Sequence, residues 1–140
     1  MLYESLEGIY KKFRLMHYRS LFSRIREKEG SLSATEAFSV EVIYLLNEPT
    51  IKQFSDFLGI SQPNATYKIN SLIEKGYITR VPSEEDRRES RLVVGEKFFS
   101  YYGNRTQIIA DAARVLRRDF SESELQTFEK MLAALNDTVE

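Results

Sequence analysis

Between residues 50 and 95, two short helix patterns, a glycine turn and a pair of strand-length apolar runs follow one another with little chain between them, an order that leaves few folds open. The segment begins "TIKQFSDFLGISQPNATYKINSLIEKGY". Thr50 can cap a short helix whose inner face is Ile51, Phe54, Phe57 and Leu58. Gly59 supplies the turn, and Ser61 can cap a second helix. Pro63 falls in the first turn of that helix, where a missing N–H costs little. Ala65, Ile69, Leu72 and Ile73 give a buried stripe, and Gly76 ends the helix. "GYITRVPSEEDRRESRLVVG" comes next, with strand-like runs at 77–81 and 92–94 around a charged tip. A short helix, a turn, a second helix and a two-stranded ribbon make the order of a winged helix-turn-helix.

The flanks read as helices. Leu2, Leu6, Ile9, Phe13 and Met16, then Leu21, Phe22 and Ile25, recur at helical spacing and predict a long first helix before Gly30. Ser33 and Glu36 form a capping-box pattern that opens a second helix, with Val42, Ile43, Leu45 and Leu46 on its core side and a stop at Asn47-Glu48-Pro49. After Gly95 a long apolar-periodic segment runs through Phe98, Phe99, Tyr102, Ile108, Ile109, Ala112, Val115 and Leu116, with Gly103 placed to bend it. Ser121 and Glu124 are a second capping-box pattern, opening a helix with Leu125, Phe128, Leu132, Leu135 and Val139 on one face.

Composition narrows the chemistry. With 42% apolar and 29% charged residues in 140, the chain can bury a core as one domain, with room for an oligomerisation element. It has no cysteine, which removes disulfides, thiolate metal sites and thiol redox switches, and its one histidine speaks against a protein-only transition-metal site. No cofactor and no metal are expected. No nucleophile–base pair or phosphate loop is legible, so an enzyme is not expected. The acidic N-terminal stretch is unlike an export signal and no apolar run reaches ~18 residues, so the expected location is cytoplasmic, with no membrane contact. The three Asn-x-Thr patterns, at Asn64, Asn104 and Asn136, are then coincidental.

Charge is segregated although the net is only −1. Lys11, Lys12, Arg14, Arg19, Arg24, Arg26 and Lys28 face Glu27 alone within residues 11–28, a run that fits a DNA-facing surface or a solvated helix face. On the second helix of the tandem pair, the face opposite the apolar stripe carries Gln62, Pro63, Asn64, Thr66, Tyr67 and Asn70, with Lys68 beside it. Asn and Gln can pair with adenine, and Thr and Pro can pack on a thymine methyl. The free N–H groups at Ser61–Asn64, with the helix dipole, can hold a phosphate. The rival reading is an ordinary polar face on a small helical core.

Residues 50–97 resemble the MarR family of bacterial transcriptional regulators, and the element order of the whole chain fits. The most specific stretch is "EKGYITRVPSEEDRRESRLVV", similar to the family's recognition-helix end, strand, wing with an Asp-x-Arg core, and return strand. "LSATE" and "SESELQTF" resemble helix-opening positions of the family, and "TEAFSVEVI" resembles members linked to fatty-acid synthesis control. The resemblance implies a mainly α fold with a small β-wing: a winged helix-turn-helix domain over 31–95, flanked by dimerisation helices at 1–30 and 96–140.

It implies further that Arg88 is the wing arginine entering the minor groove, that Asp86 orients it, and that Arg80, Arg87 and Arg91 serve phosphates. The rival for the tip is a surface ion-pair cluster of little energetic worth. A ligand-responsive repressor follows, acting as a homodimer on double-stranded DNA at a pseudo-palindromic operator. A small aromatic, anionic or lipid-like effector would meet Tyr10, His17, Tyr18 and Tyr44. The sequence departs from the family in carrying Tyr67 where arginine is frequent, and in "VGEKF" after the return strand. Residues 61–91 hold Lys68, Lys75, Arg80, Arg87, Arg88 and Arg91 against Glu74, Glu84, Glu85, Asp86 and Glu89, a net of only +1. That modest charge keeps a second reading open, a winged-helix module that binds protein without specific DNA binding.

Overall fold

The computed structural model describes residues 1–25, 32–102 and 105–139. The expected breaks at Gly30 and Gly103 lie outside them. The elements run α1 (Leu2–Ile25), α2 (Ala34–Leu45), α3 (Ile51–Leu58), α4 (Gln62–Glu74), β1 (Ile78–Pro82), β2 (Ser90–Val94), α5 (Glu96–Tyr102), α6 (Arg105–Asp119) and α7 (Glu122–Thr138). The architecture is mainly helical with one two-stranded antiparallel sheet, a winged helix-turn-helix. Two units are distinguished, Met1–Tyr102 and Gly103–Glu140.

Local signals set the helix ends. Ser33, Thr50 and Ser121 each complete a reciprocal capping box, with Glu36, Gln53 and Glu124 respectively. Ser61 caps α4 by accepting from the N–H of Asn64. α4 ends in a Schellman turn: Gly76, at φ +81°, donates to the Ile73 carbonyl, and Tyr77 donates to that of Leu72. Gly59, at φ +65°, makes the corresponding turn between α3 and α4.

The core of the first unit draws Leu21 from α1, Ala37, Val40 and Ile43 from α2, Phe54 from α3, and Ala65, Ile69 and Leu72 from α4. Tyr77, Ile78 and Leu92 join them from the wing, and Phe98 from α5. Two expected inward positions face solvent instead. Phe57 is 63% exposed because, at 100° per residue, it lies on the flank of the stripe formed by Ile51, Phe54 and Leu58. Ser55 fills the inner place, its hydroxyl donating to the Lys52 carbonyl at 2.9 Å. Leu45 is 68% exposed, and the buried side of α2 is shifted toward Ala37, Val40 and Ile43, where α1, α4 and β2 pack against it.

β1 and β2 pair with Ile78 opposite Val94, Arg80 opposite Leu92 and Pro82 opposite Ser90. On its far side β2 meets the chain before α3: Leu92 donates to the Pro49 carbonyl at 2.9 Å, and Thr50 bridges Arg91. The wing is thereby tied to the start of the helix pair. In the second unit, Leu116 and Phe120 face Leu125, Phe128 and Met131 around an open cavity of about 480 Å3. None of the described residues of α7 is buried. No helix among the described residues is long and apolar enough to cross a membrane.

Candidate nucleic-acid interface

α4 presents the polar face that its spacing predicts. Ser61, Gln62, Pro63, Asn64, Tyr67 and Asn70 are exposed, and Thr66 and Lys68 are half-buried at the edges. Tyr67 stands out most, 80% exposed at the middle of the helix. Such an exposed ring is open to stack on a base.

At the wing tip, the Asp86 carboxylate accepts from the Arg88 backbone N–H at 3.0 Å and lies 3.5 Å from the Arg88 Nε. The Arg88 side chain is nonetheless 93% exposed, so the acid holds the root of the arginine and leaves its outer donors free. Ser83 donates to the Glu89 carbonyl and Glu89 to that of Asp86, closing the tip into a compact loop. Arg87 is exposed, and Arg91 is half-buried with Nη2 3.8 Å from Glu85. Arg80 leaves β1 and reaches back to α4, where Nη2 donates to Asn70 Oδ1 at 2.7 Å.

Sequence reasoning missed the platform behind α4. Glu36, placed by its capping box, reaches across to α4: Oε1 accepts from Lys75 Nζ at 2.8 Å and Oε2 from the Ser71 hydroxyl at 3.1 Å. Partial burial pushes this carboxyl up, yet donation from Lys75, from the Ser33 backbone and hydroxyl, and from Ser71 outweighs it and holds the pKa at about 2. Lys97, from the departing "VGEKF" segment, donates to the Lys75 carbonyl at 2.8 Å and covers the Tyr77 ring at 4.8 Å. It therefore closes the C-terminal end of α4, where a cation is favoured. The capping-box motif flagged Glu36, but no local signal points to partners 35 and 39 residues away.

The four residues expected at an effector site fall into these contacts. His17 Nδ1 is 3.3 Å from Oε1 of the buried Glu41, and its ring meets Tyr18 edge-on at 5.7 Å. Tyr10 lies under the Arg14 guanidinium at 5.4 Å. Tyr44 packs on Phe98 at 4.9 Å, at the joint between α2 and α5. Among the described residues no group of acids and histidine is placed to hold a metal ion.

The comparisons with known proteins bear on the fold. The MarR family model matches residues 32–90. YpoP, an uncharacterised helix-turn-helix transcriptional regulator of Bacillus subtilis, is 28% identical over 108 residues, covering 75% of this chain and 74% of that protein. Streptococcus pneumoniae FabT, solved in complex with DNA, has the same fold with a TM-score of 0.58 at 24% identity, over 98% of this chain and 94% of that one. An E. coli MarR mutant solved with operator DNA superposes with a TM-score of 0.53 at 18% identity, over 91% and 95% of the two chains. Over residues 32–90, the wing-bearing domain is similar to the MarR family, and the chain shares its fold with solved MarR-family regulators.

Proposed function

We propose that this protein is a sequence-specific DNA-binding regulator, a ligand-responsive repressor that acts as a homodimer on a pseudo-palindromic operator. The observation that carries the reading is the wing tip: a guanidinium held at its root by Asp86 and left open at its end. Such an arginine fits a narrow, electronegative minor groove, while the face of α4 from Gln62 to Asn70 fits the adjoining major groove. FabT and an E. coli MarR mutant, alike in fold, were each solved with DNA, which supports the DNA-binding part of this reading.

The homodimer reading is supported by exposed apolar surface in both units. Leu2, Leu6, Ile9 and Phe13 are exposed along α1, and Phe128, Leu132 and Leu135 along α7. Two-fold symmetry places the recognition helices about one DNA turn, ~34 Å, apart. For an effector, the candidate groups are Tyr10, His17 and Tyr18 on α1 and Tyr44 on α2. The low net charge of the DNA-facing segment favours one competing reading, a winged-helix module for protein partners.

Selection of bound sequences from a random duplex pool decides between them. The expected result is a symmetric consensus whose affinity falls steeply with added salt. Absence of duplex binding at low salt refutes the regulator and favours the protein-interaction module.

A further inference from the structure

Asn70 and Arg80 are both DNA-contact candidates, yet the structure joins them to each other at 2.7 Å. A guanidinium carries only donors, so the amide oxygen must be the Asn70 atom that faces it. A free asparagine can turn its amide over, exchanging the positions of oxygen and NH2. With Arg80 in place, one of those two arrangements is lost.

Asn70 lies three residues after Tyr67 and seven after Pro63, on the same exposed stripe of α4. Adenine offers a matching donor and acceptor, N6–H2 and N7, side by side in the major groove. A bidentate pair with adenine uses the oxygen lone pair on the NH2 side, which leaves the other lone pair for Arg80. An amide with its oxygen pinned toward β1 matches that edge in one direction only.

On the DNA-binding reading above, we infer that Arg80 is a specificity-determining positioning residue. It fixes the order of acceptor and donor that Asn70 presents, and so decides which way round an A·T pair is accepted. A phosphate contact alone would instead add affinity equally on every sequence.

The test is competition binding by the full-length protein to its selected consensus duplex and to all single-pair variants of it. Asn70→Ala should erase the preference at one base pair in each half-site, normally roughly five- to a hundredfold for a bidentate contact. Arg80→Met should reduce the preference at that same pair to about twofold or less, with other positions unchanged once affinities are normalised to the consensus. Arg80→Met in the Asn70→Ala background should change no preference further.

The inference is overturned if Arg80→Met lowers affinity by one common factor on every duplex, or if Asn70→Ala alters no position. A wild-type protein that shows no preference among duplexes would overturn the DNA-binding reading itself, a result distinct from either.

Discussion

Replacing Glu36 by Gln removes one charge from the platform behind α4 while keeping the side chain's size and its capping geometry, since Gln also completes a capping box. The carboxyl is held at about 2 against an ordinary 4.5. At about 1.4 kcal/mol per tenfold change in proton affinity, that depression corresponds to roughly 3 kcal/mol. Glu36 is 17% exposed but Lys75 is 32% exposed, so solvent screening brings the realistic contribution to about 1–2 kcal/mol.

The sign follows from the depressed folded value. The stabilisation is fully present above the unfolded pKa of about 4.5 and is lost as pH falls from there toward 2. Urea unfolding of wild type and Glu36→Gln at one protein concentration, at pH 7, 5, 4 and 3, reads it directly. The variant should be about 1–2 kcal/mol less stable at pH 7 and 5, and the difference should shrink at pH 4 and again at pH 3. A difference that stays constant across this range would show that hydrogen-bond geometry, rather than charge, joins α2 to α4.

Arg88→Ala should weaken binding to the selected duplex by about tenfold or more, with oligomeric state and fold unchanged by sedimentation and circular dichroism. Asp86→Ala should cost less, about fivefold at most, since the pair is exposed and the arginine itself remains. Phe54→Ala, at a fully buried position, should cost about 3–5 kcal/mol in urea unfolding, whereas Phe57→Ala three residues on should cost under about 1 kcal/mol.

What the sequence determined by itself was everything governed by neighbours along the chain. The caps at Ser33, Thr50, Ser61 and Ser121, the left-handed turns at Gly59 and Gly76, and the apolar stripe of α4 are set within a few residues. Their order along the chain then allowed one architecture, with a polar helix face and a charged wing tip as the candidate interface. Tertiary structure decided which apolar residues stay outside, because burial depends on what packs across from a helix: Phe57 and Leu45 have helical spacing but lie off the packed side of α3 and α2 and stay exposed. It also decided the polar contacts that fix α4, Glu36 to Ser71 and Lys75, Lys97 to the end of the helix, and Arg80 to Asn70. These join residues 10 to 39 positions apart, a distance over which no pattern of residue types marks which donor will meet which acceptor until the helices have packed.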